Sequence, residues 1–215
     1  MIRYHPSLEI LEAYARGALN AGSALVVACH VHGCAVCRSE AAILEDAGGA
    51  FLQDTTPAAV SGDALERIFT RIDDVPPPSA RVKAPGFLER FSVPAPLRRQ
   101  RVGFRRWVTP NIWFAPVHVR PKPEALTYLV YAGKNTTLAR HTHRGQEFTS
   151  VLYGRFSDES GAFGPGDFAQ TDESVEHAPA VMSDSECLCL ISADAPMQLL
   201  GLPARIIQTM TGSLY

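Results

Sequence analysis

Of the seven histidines and five cysteines in this 215-residue chain, three are spaced as His30-x-x-x-Cys34-x-x-Cys37, and His5 lies upstream. Thiolate sulfur and neutral imidazole nitrogen are the donors of a four-coordinate tetrahedral zinc ion, and four such residues would close its coordination shell. A closed shell leaves no position for substrate, so the chemistry expected here is structural. The competing reading is a pair of buried free thiols beside surface histidines, because Cys-x-x-Cys also occurs in redox proteins. Cys29 and His32 flank the cluster. Cys29 reads as a buried apolar thiol, with a spare ligand or redox relay as the sharper alternative. With a shifted backbone, His32 could stand in for His30.

A second cluster follows in His141-Thr142-His143-Arg144-Gly145-Gln146-Glu147, with His177 thirty residues later. Side chains alternate on a strand, so residues 141, 143 and 147 share a face if the chain stays extended. His177 would join them from a neighbouring strand across the Gly164-Pro165-Gly166-Asp167 turn. Three imidazoles and a carboxylate suit Zn, Fe, Mn or Ni, and spacing does not choose among them. Cys187 and Cys189 alternate on a β-branched and apolar run and share a face. They read as barrel packing, or as an oxidisable pair facing the metal cavity, although i,i+2 neighbours on one strand are poorly placed for a mutual disulfide. His118, on an earlier apolar strand, reads as a core or surface histidine.

The elements that must position these residues change character along the chain. Ser7 can cap a helix running to about Leu19, with Leu8, Leu11, Ala15, Ala18 and Leu19 as its apolar stripe. Leu25–Ala28 lead into the first cluster, and a second periodic stretch runs from Cys34 to about Leu52. Ser61 can cap a short helix whose Leu65, Ile68, Phe69 and Ile72 recur at i, i+3, i+4, i+7. These four either pack on their own chain or form a docking face for a partner's groove.

Residues 74–100 hold Pro76-Pro77-Pro78, Pro85, Pro94 and Pro96, which predicts a linker or loosely packed crossing. After it, short strand-like runs recur at 112–119, 126–131, 147–153, 187–192 and 205–210, the pattern of an all-β sandwich or barrel. The fold class is therefore α+β in two domains, a small all-α metal-binding unit and then an all-β unit.

Charge is divided along the same lines. Residues 1–73 carry five Lys/Arg against nine Asp/Glu, residues 74–106 eight against two, and residues 107–215 seven against eleven. An acidic first unit is a poor ligand for phosphates and suits a basic protein partner. The basic stretch 81–106 is broken by proline and carries no helix-turn-helix pattern, so direct nucleic-acid binding is not expected. The chain has no apolar run of 18 residues and no secretory core near Met1, so no membrane span and a cytoplasmic location are expected. Reduced thiols there favour metal binding over disulfides.

The second cluster resembles the cupin family over roughly residues 110–200: His-x-His, Glu four residues on, Gly154 seven further, a Gly-Asp turn and a last His. It departs from that pattern at Asn135, where a glycine is usual, and around Ser174-Val175-Glu176, where Pro-x-Gly is usual. Taken together, the two clusters make the chain similar to zinc-binding anti-sigma factors of the ChrR type over nearly its whole length.

The resemblance implies a helical zinc-binding anti-sigma domain at 1–75, a Pro/Arg-rich linker at 76–105, a cupin (jelly-roll barrel) domain at 106–200 and a C-terminal strand or tail at 201–215. It implies His5, His30, Cys34 and Cys37 as zinc ligands, and His141, His143, Glu147 and His177 as ligands of a second divalent metal, usually zinc. It further implies a regulator, not an enzyme, whose partner is an extracytoplasmic-function (ECF, group IV) sigma factor. Such proteins hold the sigma factor from polymerase until an oxidative-type signal, such as singlet oxygen or organic peroxide, releases it. The rival is a metal-dependent, dioxygenase-like cupin enzyme with an accessory zinc domain, since some cupins with three His and one Glu are oxygenases.

Overall fold

The computed structural model describes residues 1–72, 85–120, 125–181 and 185–200. The Pro76–Pro78 run, the expected strand at 205–210 and the tail at 201–215 lie outside those residues. Helix α1 spans Leu8–Ala15, with the Ser7 side chain accepting from the Ile10 amide at 3.4 Å. It stops four residues short of the expected end, at a turn where Gly17 takes φ +68°. Helix α2, Ala21–Gly33, is capped by the Asn20 side chain on the Ser23 amide at 2.9 Å. Helix α3 spans Ala35–Gln53 and α4 Ala64–Ile72. Between α2 and α3 the axis bends by 118°, with Cys34 extended at the corner.

Residues 85–100 are not a loose crossing. A 3-10 turn, Gly86–Leu88, and the short helix α5, Ala95–Arg98, carry Leu88, Phe91, Val93 and Leu97, all buried. The prolines set backbone direction while the apolar residues between them fill the core.

The strands are β1 Arg101–Val102, β2 Arg106–Thr109, β3 Ile112–His118, β4 Leu126–Ala132, β5 His141–Thr142, β6 Glu147–Tyr153 and β7 Phe156–Asp158. They continue as β8 Gly161–Phe163, β9 Phe168–Thr171, β10 Glu176–His177, β11 Ala180–Val181, β12 Cys187–Ala193 and β13 Gln198–Leu199. The main sheet runs β1-β3-β4-β12-β6-β9, with β2 on β3. Two small sheets, β10-β5-β13 and β11-β7-β8, complete the barrel, and every pairing is antiparallel.

The helical and β halves share one core. Val26, Val27 and Cys29 of α2 belong to the same buried cluster as Phe148 of β6 and Leu188 and Leu190 of β12. Helix α2 therefore has no solvent face of any width, which fits a helix that is apolar on all sides. Its start lies so close to the sheet that a Cβ on Gly22 would fall 2.2 Å from Thr127 Oγ1. Only glycine permits that approach.

Candidate metal centres

The bend between α2 and α3 builds the first centre. His30 sits in the last turn of α2, Cys34 at the corner and Cys37 in the first turn of α3, so a short stretch of chain folds its donors together. The N-terminal arm brings His5 from the solvent side. His5 Nδ1 lies 3.4 Å from Cys34 Sγ and 3.3 Å from Cys37 Sγ, and His30 Nε2 lies 3.2 Å from Cys37 Sγ. Zn–N and Zn–S bonds of about 2.0 and 2.3 Å at tetrahedral angles give N···S edges of roughly 3.5 Å. The four donor atoms all lie within 4.8 Å of one another, and the set fits zinc.

His30 Nδ1 donates to the Gly166 carbonyl at 2.8 Å, which fixes the tautomer and leaves Nε2 with its lone pair toward the thiols. Burial pushes the His30 imidazole below its ordinary range, so it is neutral at physiological pH, as a ligand must be. Burial and the neighbouring Cys34 push the Cys37 thiol up. A cation binding there must displace that proton, so binding releases protons and weakens as pH falls. His32 is exposed and outside the cluster.

Barrel pairing builds the second centre. β5 and β10 place His141 directly opposite His177. His143 follows on the turn after β5, beyond the extended segment, and still points inward. His177 Nε2 lies 3.1 Å from His141 Nε2 and 3.0 Å from His143 Nε2, so three Nε2 atoms converge at a buried point.

The outer nitrogens face protein acceptors. His141 Nδ1 donates to the Ala139 carbonyl at 2.8 Å and His177 Nδ1 to Asp158 Oδ2 at 2.7 Å, while His143 Nδ1 lies 3.4 Å from Glu147 Oε2. Glu147 therefore stands behind His143 and is outside the set of converging donor atoms, and Tyr128 donates to its Oε2 at 3.4 Å. The three imidazoles suit a divalent ion, which they would hold while Lewis acidity is supplied to whatever occupies the cavity. That cavity, about 670 Å³ including its part open to solvent, is lined by His141, Glu147, His177 and mostly apolar side chains.

Asp158 was not visible as a site residue in the sequence. Burial alone would raise its carboxyl, but His177 and the amides of Ser160 and Gly161 outweigh that and hold it below the usual carboxylate range. Its only sequence signal is the Asp-Glu-Ser-Gly turn that carries it. Cys187 and Cys189 line the cavity with their Sγ atoms 3.7 Å apart, both reduced and buried. The fit of the barrel is preserved at the departure noted above, since Asn135 takes φ +53°. Asparagine is among the few non-glycine residues that tolerate this left-handed conformation.

Residues 98–195 match the model of the ChrR cupin-like domain. Over 213 residues the chain is 33% identical to the anti-sigma-E factor ChrR of Cereibacter sphaeroides, covering 96% of this chain and 97% of that one. The chain belongs to the ChrR family of anti-sigma factors. It is also similar to a crystal structure of Rhodobacter sphaeroides SigE in complex with the anti-sigma ChrR, with a TM-score of 0.73 and 31% identity, over 90% of this chain and 100% of that chain. The ChrR match extends through both halves in one order, a helical region followed by a cupin-like barrel, and it marks the chain as a regulator and not an enzyme. Among the described residues no single helix is long and apolar enough to cross a membrane.

Proposed function

We propose that this ChrR-family chain sequesters a group IV ECF sigma factor in the cytoplasm through its helical half, and that an oxidative-type signal acting at the barrel triggers release. The observation that carries the reading is the apolar face of α4. Leu65, Ile68, Phe69 and Ile72 are 58–65% exposed, and no residue of α4 is buried. Val36, Ile43 and Phe51 of α3 are also exposed, at spacings that keep them along one side of that helix. An exposed apolar helix face such as that of α4 marks an interaction site. The acidic balance of residues 1–73 complements a partner whose polymerase- and DNA-facing surfaces are basic.

In this reading His5, His30, Cys34 and Cys37 hold a structural zinc that fixes the α2–α3 corner and so presents α3 and α4. His141, His143 and His177, with Glu147 nearby, hold the second divalent ion, zinc by family precedent, at the head of the cavity where a signal molecule would enter. The test is affinity for the cognate sigma factor. Phe69→Asp or Leu65→Asp should weaken binding by about 2 kcal/mol or more, with thermal stability within about 0.5 kcal/mol of the parent because nothing in the core is lost. Unchanged binding by both variants would remove α4 from the interface.

A further inference from the structure

The first metal centre is not built by the helical half alone. The barrel turn Gly164–Asp167, between β8 and β9, reaches two of its four ligands by separate routes. Asp167 is 2% exposed, and its Oδ1 accepts the amides of Arg3 at 2.6 Å and Tyr4 at 3.1 Å. Its Oδ2 accepts the Gly164 amide at 2.8 Å, which ties the carboxylate to the turn. The Tyr4 carbonyl in turn accepts the Phe168 amide at 3.1 Å, so the arm is bonded to the barrel through both its amides and its carbonyl. The Tyr4 ring lies 4.5 Å from the Phe163 ring, and the Arg3 guanidinium donates to the Ala162 carbonyl. His5 is the next residue of that arm. The second route is the Gly166 carbonyl, which accepts from His30 Nδ1. Gly166 takes φ +88°, and a Cβ there would fall 2.7 Å from the Ile2 side chain, so the arm closes directly over the turn.

We propose that Asp167 is a positioning residue of the helical metal centre, and that the barrel sets the metal affinity of that centre through this turn. The inference rests on the assignment of His5, His30, Cys34 and Cys37 as ligands. A free N-terminal arm would hold His5 at the entropic cost of ordering it. Two amide-to-carboxylate bonds and a strand-like pair with Phe168 meet that cost before the metal arrives. A change in the barrel that shifts this turn therefore loosens one ligand and turns the ring of another. The same strand that begins at Phe168 ends at Thr171, which pairs with Glu147 beside the second centre. The turn thus belongs to an element that also borders the barrel metal.

The experiment uses full-length protein loaded with cobalt(II), whose thiolate charge-transfer absorption reports the centre that holds Cys34 and Cys37. Affinity is measured by chelator competition on the parent, Asp167→Ala, Asp167→Asn and Cys37→Ser. Asp167→Ala should weaken cobalt binding on the order of tenfold to a hundredfold, as loss of outer-shell support does. Asp167→Asn keeps one oxygen acceptor for the arm but turns its NH2 onto the Gly164 amide, so it should recover only part of that loss. Metal content of the barrel should stay unchanged in both, which a merely destabilised barrel would not give. Parent-like affinity in Asp167→Ala overturns the proposal. If Asp167→Ala does not fold, Tyr4→Ala, which removes the arm's side-chain hold on Phe163 and Gly161, carries the test, and parent-like affinity there overturns it. If the parent shows no thiolate band, or Cys37→Ser keeps it at full intensity, the ligand assignment itself fails and the proposal falls with it.

Discussion

Burial pushes the His141 imidazole down to about 4 from an ordinary value of 6.5. Between those values the unfolded chain binds a proton that the folded chain refuses. In protein stripped of metal, the stability available above about pH 6.5 should therefore decline as pH falls toward 4, by up to about 3 kcal/mol from this group. Urea unfolding midpoints across that window check it, and a flat profile that His141→Gln does not alter would count against the buried neutral imidazole. Asp158 invites a different test at the same scale. An amide in its place must turn its NH2 toward either the His177 Nδ1–H or the amides of Ser160 and Gly161, so one donor is left facing another. Asp158→Asn should lower metal affinity of the barrel by roughly tenfold to a hundredfold without touching the thiolate centre, as metal titrations resolved by site would reveal. The ligand types were legible in the sequence because His and Cys are scarce and clustered. The groups behind them were not, since a carbonyl from Ala139 or Gly166 leaves no mark in composition.

Elements were legible where a local residue pattern sets them off from their flanks. The Ala64–Ile72 helix and the strands at 112–118, 126–132, 147–153 and 187–193 fall close to the expected ranges, because period 3.6 or a β-branched run separates them from their flanks. Helix α2 left no periodic signal, since the barrel and its helical neighbours cover it and apolar residues occur on every side. The three-residue strands β7 and β8 are too short to show alternation. The same close packing that hid α2 makes it sensitive. Gly22→Val would drive a branched side chain into the space of Thr127 Oγ1 and Ser192 Oγ, 2.2 and 2.7 Å from the new Cβ. Lifting the helix off β4 and β12 should cost about 1–3 kcal/mol, read as a lower unfolding midpoint. An unchanged midpoint would mean that the helix does not rest on the sheet in solution.

At the scale of the whole molecule, a sequence that reads as two units joined by proline folds around one core. Val26, Val27, Leu88, Leu97, Leu188 and Leu190 come from the helical half, the Pro/Arg-rich stretch and the barrel, and they share a single buried cluster. Neither half can open without exposing apolar surface of the other, and domains that share a core unfold together. Calorimetry on the metal-loaded protein should therefore give one transition, with equal calorimetric and van't Hoff enthalpies. Cys37→Ser removes a ligand from the α2–α3 corner, and α2 is the element common to that corner and the core. The variant should lose metal from its helical site and move the entire transition to lower temperature, and it should not split off an early helical one. Two separated transitions, with the later one indifferent to Cys37→Ser, would instead mean that the helical half and the barrel are energetically independent, and that a signal at the barrel must reach the helical half by another route.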